Sequence, residues 1–421
     1  MNLEGLYNLY SQYYLVDTDT RKIRENTIYF ALKGANFNGN TFAEEALKKG
    51  AIYAVVDEEE FKTNDNIILV DNVLETLQSL ANYHRNKLNI PIIGLTGSNG
   101  KTTTKELIDV VLKQKFNTNA TKGNLNNHIG VPLTLLSMTA ETEIGIVEMG
   151  ANHHKEIAFL SNIAEPDFGY ITNFGKAHIE GFGSVEGVIE AKSELYDFLI
   201  ENDKKIFVNQ NDPIQLQKTE NANRIFIEES LSFISADPNV KFKFKDFEIG
   251  SNLIGSYNYN NIACAVTIGS YFNIDDVKIK EAIESYISEN NRSQIVVKGS
   301  NNIILDAYNA NPTSMRAALE NFNQTKSEKS KIVILGDMFE LGNTSQVEHQ
   351  EIADLCDTLN FQEIILVGNQ FSTVVSKGDH LKFKEFDGLR NYLEENKLKN
   401  KSLLIKGSRG MALERSLAYI N

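Results

Sequence analysis

A chain of 421 residues, 42% hydrophobic and 23% charged, has the composition of a folded globular protein, and at roughly 100–200 residues per domain it holds two to four domains. That balance excludes disordered, collagen-like and coiled-coil classes. A net charge of −14 speaks against a general binder of nucleic acid or of anionic membranes.

The opening MNLEGLYNLYSQYY has neither the basic start nor the apolar run of a signal peptide. No apolar run reaches the roughly 18 residues of a membrane helix, so a soluble, cytoplasmic chain without membrane insertion is expected. Residues 1–72 read as a small mixed α/β unit: strands at 27–32, 51–56 and 67–70, a turn at 34–40, and a helix over 42–50 closed by Gly50. A polar helix over 73–88 reads as a linker. A central unit, 73–292, carries short apolar strands at 90–97, 144–150, 168–175 and 205–212, each running into a Gly-rich or polar turn. Such strands alternating with helices predict a mostly parallel sheet with flanking helices. After a weak polar stretch over 213–252, a helix runs from about Asn258. The third unit, 293–421, repeats the α/β pattern with strand-to-loop junctions at 302–312, 331–342, 363–370 and 402–410, and reads as Rossmann-like, with ligands at the strand C-terminal ends. Pro312 suits the first turn of a helix. Cys264 and Cys356 lie in apolar helical surroundings and read as small buried hydrophobes rather than as a disulfide or zinc site.

GLTGSNGKTTTKELI, residues 94–108, is the strongest local signal. An apolar strand enters a turn made by Gly97, Ser98, Asn99 and Gly100, and a helix begins at Lys101-Thr102-Thr103. Backbone N–H groups in such a turn, with a helix N-terminus behind them, cradle phosphate. Lys101 would neutralise the outer phosphates and the Thr102 hydroxyl would ligate Mg2+. The strict phosphate-loop spacing fails, because Leu95 stands where the first Gly belongs. A guanine-selecting Asn-Lys-x-Asp is missing as well, since Asn209-Gln210-Asn211-Asp212 lacks the lysine. ATP is therefore favoured. Glu148, ending the strand IGIVEMG on the same sheet edge, is a natural second oxygen ligand for Mg2+. Lys192 lies on a helical stripe with Val185, Ile189, Tyr196 and Leu199. A lysine there must snorkel, pair or lose its charge.

TGSNGKTTT resembles the nucleotide loop of the Mur ligase family, ATP-dependent amide ligases that build the peptide of bacterial cell-wall precursors. The stretches 119–136, 147–157, 171–184, 305–315, 335–342 and 406–414 resemble the same family in the same order, and 19–43 resembles its uridine-nucleotide-binding domain. The third-unit motifs LGDMFELG and KGSRGMALE point to the branch that adds a dipeptide. The resemblance implies three domains, 1–72 for the UDP substrate, 73–292 for ATP, and 293–421 for the incoming dipeptide and for closing over ATP. It implies a monomer acting on UDP-N-acetylmuramoyl-tripeptide and D-alanyl-D-alanine.

Residue by residue, the resemblance makes His178 a metal ligand beside Thr102 and Glu148, and makes Lys192 a lysine carbamylated by CO2 that helps hold a second Mg2+. It places Asn258 and Asn261 on the adenine, where helix N-capping is the plainer reading. Arg292 and Asp306 become ATP contacts brought over by the third domain. Thr20, Arg21 and Lys33 fall to the UDP substrate, Asn126 and Asn127 lie near it, and Asn309, Asn311, Asp337, Lys406, Ser408 and Arg409 receive the dipeptide and the peptide carboxylate. His153 and His154 read as surface or structural. A sibling ligase adding one amino acid, a folylpolyglutamate-type ligase, a nucleotide-dependent switch and an inactive homologue are the alternatives. For a chain this acidic, the anionic ligands predict that Mg2+ is indispensable.

Overall fold

The structure, a computed structural model, describes residues 2–288 and 291–420. Near the N-terminus, four parallel strands run in the order Val16–Asp17, Ile28–Phe30, Tyr53–Val56, Ile67–Leu69. The helix Ala43–Lys48 precedes Gly50, whose φ of 113° supplies the left-handed residue that ends a helix. The expected turn over 34–40 contains a small hairpin, Lys33–Gly34 against Phe37–Asn38.

The helix Val73–Leu88 is no exposed linker. Asn72 caps it by accepting from the Glu75 N–H, and Leu77, Leu80, Ala81 and His84 recur at helical spacing on one fully buried face. That face joins Leu6 and Tyr10 of the helix Leu3–Tyr10, and Phe30 and Val55 of the first sheet, to Leu135, Val147 and Leu160 beyond them, so one core serves both units. The Tyr10 hydroxyl crosses it to donate to the Leu136 carbonyl at 2.8 Å. The polar content that suggests a linker belongs to the other face.

Six parallel strands follow in the order Asn223–Phe226, Lys205–Val208, Phe168–Ile171, Ile92–Thr96, Ile144–Glu148, Thr118–Ala120. Ile92–Thr96 is buried along its whole length. After this strand the chain forms the edge strand Thr118–Ala120, returns to insert Ile144–Glu148 beside Ile92–Thr96, and then crosses to the other side. The C-terminal end of Ile92–Thr96 is therefore the switch point where a doubly wound sheet opens a crevice. The polar stretch read as weak forms the helix Pro213–Lys218, a sixth parallel strand and an antiparallel sheet of Leu231–Ala236, Asn239–Phe244 and Phe247–Ile254. Val240, Phe242 and Phe244 face the core while Lys241 and Lys243 face out. The period-two alternation is clear there once the partners are known.

The last sheet runs in the order Gln294–Lys298, Asn301–Asp306, Lys401–Lys406, Ser330–Gly336, Glu363–Val367, Leu381–Phe383. All neighbours are parallel except the first pair, an edge hairpin. Pro312 opens the helix Pro312–Gln324 behind a capping box formed by Asn311 and Ser314. Both cysteines are free and buried.

Candidate active site

The strand Ile92–Thr96 turns through Gly97, at a φ of 142°, and Gly100, at 80°, into the helix Lys101–Leu112. A side chain at Gly97 would put its Cβ 2.0 Å from Thr172 Oγ1, so the left-handed turn and the close approach of the neighbouring strand end both require glycine. That strand end grips the loop. Thr172 Oγ1 and Asn173 Nδ2 donate to the Asn99 carbonyl at 2.6 and 2.9 Å, and Ser98 Oγ donates to the Gly175 carbonyl at 2.6 Å. The loop's conformation is held by bonds to the protein itself, as a phosphate cradle requires.

Lys101 Nζ folds back to donate to the Gly97 carbonyl at 2.6 Å. Its pKa is lowered by burial, opposed by Glu148 and assisted by the Arg292 charge. Thr102 Oγ1 donates to Glu148 Oε2 at 2.9 Å, and Asn126 Nδ2 donates to Oε1 at 2.8 Å. Glu148 is 1% exposed, so it is no solvated strand end. Hydroxyl and carboxylate oxygens side by side at the base of a phosphate loop form the donor set that suits Mg2+, which takes one or two protein oxygens and the rest from phosphate and water. Among the described residues no three His, Cys, Asp or Glu side chains converge into a metal cage.

Around this loop lies a cavity of about 920 Å3, walled on one side by the central unit and on the other by the third. The third unit is already seated against it. Asn311 Nδ2 donates to Asn99 Oδ1 at 2.7 Å, the Lys176 N–H donates to Thr313 Oγ1 at 3.0 Å, and Lys176 Nζ pairs with Glu348 at 2.7 Å.

Of the residues singled out in the sequence, Ser98, Asn99, Gly100, Lys101, Thr102, Thr103, Asn126, Asn127, Glu148, His178, Asn258, Asn261, Arg292, Asp306, Asn309, Asn311 and Lys406 line this cavity. Gly97 shapes it from behind. Lys192 lies outside the lining. Its Nζ donates to the carbonyl of Ala151, a wall residue, at 3.1 Å, and sits 4.9 Å from the Phe182 ring centre. At 1% exposure it does not snorkel. Burial, with a smaller push from Lys101, brings its pKa down to about 7, against the opposing pull of Glu156 and Glu194. Val185 and Ile189, expected on its buried stripe, are only half-buried, and the buried face turns through Val188, Ala191 and Leu195 instead.

Several of these residues have partners within the protein. His178 pairs through Nδ1 with Glu340 of the third unit, which lowers the Glu340 pKa, so its ring is held at the closing seam. Asn258 is not a helix cap. Tyr257 holds that position, and the Asn258 amide donates to the Ile254 carbonyl and accepts from Asn261 Nδ2, both at 2.8 Å. Lys406 is spent on Asp306 at 2.5 Å and on the Asn309 carbonyl. The buried Asp337 carboxylate takes the Gln370 and Phe371 N–H groups, both at 2.9 Å, and Ser408 Oγ accepts from the Phe339 N–H. Both therefore brace loops outside the cavity. Arg409 is exposed and pairs with Glu414. Thr20, Arg21 and Lys33 stand apart from the cavity, Arg21 on Asp19 and Lys33 on Asp57 and Glu58. In the other direction, His154, read as surface or structural, lines the cavity, as do Asn173, Tyr257 and Tyr308. Tyr308 stands two residues beyond Asp306, a position its strand-end motif could have revealed.

A left-handed glycine turn under a parallel sheet, an acidic oxygen pair at its base and a cavity shared by two units define a nucleotide-dependent α/β enzyme. The descriptions "Mur ligase family, catalytic domain", "Mur ligase middle domain" and "Mur ligase, glutamate ligase domain" match residues 12–85, 95–269 and 291–409. A Bacillus subtilis protein named UDP-N-acetylmuramoyl-tripeptide–D-alanyl-D-alanine ligase is 34% identical, covering 95% of this chain and 91% of its own. The MurF crystal structure I from Acinetobacter baumannii superposes with a TM-score of 0.85 at 28% identity, over 96% of this chain and 92% of its own. The MurF ligase from Thermotoga maritima in complex with ADP gives 0.84 at 27%, over 96% of both chains. The chain belongs to the Mur ligase family, and it is an ATP-dependent ligase.

Proposed function

We propose that this chain joins D-alanyl-D-alanine to UDP-N-acetylmuramoyl-tripeptide with hydrolysis of ATP to ADP and phosphate, giving the UDP-linked pentapeptide. The observation that carries the reading is the cavity itself: a phosphate loop faces the strand ends of a second α/β unit across one shared space of about 920 Å3. Phosphoryl transfer and acyl transfer can then occur in one enclosure. The name of the Bacillus subtilis relative and the ADP of the Thermotoga maritima neighbour support it.

A carboxylate is a poor acyl donor because its leaving group would be oxide. Taking the γ-phosphoryl group makes an acyl phosphate, whose leaving group is phosphate, and the dipeptide amine then attacks the carbonyl carbon. The obstacle is pressing two anions together. Thr102 and Glu148 would hold Mg2+, which supplies charge screening between carboxylate and phosphate. Lys101 would exchange its carbonyl partners for the outer phosphates. Arg292 faces the same space. Seating the third unit excludes the water that would hydrolyse the acyl phosphate.

Lys192, with a pKa near 7, is partly a neutral amine at physiological pH, and a neutral amine is what CO2 requires to form a carbamate. That anion, under the Ala151 carbonyl, would add a second metal-holding group, with His178 reaching it once freed from Glu340. In this reading residues 1–72, with Thr20, Arg21 and Lys33, take the UDP end, 73–292 take ATP, and 293–421 take the dipeptide near Asn309 and Arg409. Asn126 and Asn127 border the tripeptide, and Asn261 is left to meet the adenine. In this reading the enzyme acts in the cytoplasm. Among the described residues no helix is long and apolar enough to cross a membrane, and a monomer carries every group named.

The test is ATP-dependent phosphate release with UDP-N-acetylmuramoyl-tripeptide, adding either D-alanyl-D-alanine or single amino acids. Stimulation by the dipeptide supports the assignment. Stimulation by a single amino acid alone would move the chain to a sibling activity.

A further inference from the structure

We propose that Tyr308 is a positioning residue that holds the Arg292 guanidinium flat against its ring, charged and unneutralised, so that it meets the phosphates of the nucleotide. This inference rests on the ATP-binding reading above and adds a residue to it.

The lysines and arginine on the cavity wall are Lys101, Lys155, Arg292 and Lys406. Lys101 bonds to backbone carbonyls of the phosphate loop, Lys406 is paired with Asp306, and Lys155 is exposed. Arg292 differs from all three. Among the described residues it takes part in no ion pair, and its Nε is buried without a hydrogen-bond partner. Its guanidinium carbon instead lies 3.6 Å from the centre of the Tyr308 ring. At that separation the guanidinium plane lies on the ring face, and its N–H groups, which point outward in the plane, stay free for another acceptor.

The choice of an aromatic anchor has a physical consequence. A carboxylate would orient Arg292 equally well, but it would also cancel the charge and repel an incoming phosphate. The ring face attracts the cation through its quadrupole and leaves the net charge in place. Arg292 is also close enough to Lys101 to push its pKa down, so two cations share one region of the wall with Glu148 as the opposing charge. A site held in that state is completed by an anion. Tyr308 belongs to the third unit, following the strand Asn301–Asp306, and the phosphate loop belongs to the central one. Seating the third unit therefore delivers the shelf for Arg292. The Arg409 guanidinium lies 6.0 Å from the same ring centre, near the outer limit of such contacts, so the ring also stands between the nucleotide end and the proposed dipeptide end.

The experiment measures equilibrium binding of ATP with Mg2+ by calorimetry to the full chain and to Tyr308→Leu, Tyr308→Phe, Arg292→Ala and the Tyr308→Leu/Arg292→Ala pair, with thermal unfolding in parallel. Tyr308→Leu should weaken ATP binding about five- to tenfold, and Tyr308→Phe, which keeps the ring, should recover most of that loss. In the Arg292→Ala background the Leu substitution should cost nothing further, because the partner is gone. A purely structural tyrosine would give additive losses and a Phe variant unrelated to binding. Full additivity, or an Arg292-independent loss, overturns the proposal. Failure of the parent reading looks different: ATP binds to the full chain, yet the dipeptide does not stimulate phosphate release.

Discussion

Replacing Lys192 with Met removes the ammonium from a fully buried site while keeping an unbranched chain of similar length. Its pKa falls from the ordinary 10.5 to about 7 in the folded protein because burial penalises the charged form. The sign follows from proton counts. Between the two values the unfolded chain holds more protons than the folded one, so the stability of the native protein rises with pH across that window. Below pH 7 both states are charged and the folded protein bears the whole penalty, about 5 kcal/mol at pH 6 by linkage. By pH 9 the folded lysine is neutral and about 2 kcal/mol remains. The Met variant also loses the bond to the Ala151 carbonyl and the contact with the Phe182 ring, losses that the neutral lysine shares little of and that do not scale with pH in the same way. The stability difference, Met variant minus parent, should therefore fall by about 3 kcal/mol from pH 6 to pH 9. Urea denaturation of both proteins at the two pH values, in buffers stripped of CO2, reads it directly. A difference independent of pH would refute the buried, readily neutralised lysine and with it the route to a carbamate.

Lys192→Ala should abolish most turnover, and a small carboxylic acid supplied in the buffer should restore part of it; undiminished turnover in the variant contradicts the carbamate. Gly97→Ala should eliminate measurable ATP binding while leaving thermal unfolding of the third unit unchanged, because the new Cβ meets Thr172 Oγ1 at 2.0 Å and the φ of 142° disfavours any side chain; calorimetry with ATP checks it. Glu148→Gln keeps the bulk and the Thr102 contact but removes the anion, so the Mg2+ concentration for half-maximal activity should rise by about tenfold or more, measured by titrating Mg2+ at fixed ATP. Asn311→Ala loses both the helix cap and the bond to Asn99, so it should destabilise the third unit by about 1–2 kcal/mol and lower kcat more than it weakens ATP binding; an unchanged kcat would show that this contact is not part of closure.

The phosphate loop was legible in the sequence because everything it needs is local: an apolar strand, glycines for the left-handed turn and a helix start within one short run. Glu148 was legible for the same reason, as a carboxylate ending a buried strand. Lys192 announced itself through its apolar neighbours, although the face that buries it is turned from the one the spacing suggests. What the sequence concealed depends on pairings between distant residues. Asp306 and Lys406 stand 100 residues apart along the chain, and nothing local reveals that each satisfies the other, so Lys406 looked free for a ligand. Asp337 and Ser408 also looked like ligand groups, because polar residues at strand ends brace loops and bind substrates with the same chemistry. Tyr308 was overlooked beside the asparagines of its own motif, since an aromatic ring gains its role only when Arg292 is folded over it. The antiparallel sheet over 231–254 was hidden by lysines alternating with its core phenylalanines, a solvated face that lowers the mean hydropathy of the segment.

The most direct measurement is the mass of the nucleotide product after incubation with ATP, Mg2+, UDP-N-acetylmuramoyl-tripeptide and D-alanyl-D-alanine. The account predicts a UDP-linked product heavier than the substrate by one dipeptide less one water, formed in step with ADP and phosphate. ADP and phosphate released with the tripeptide nucleotide unchanged in mass, or a gain of one amino acid residue from a single amino acid alone, would contradict it.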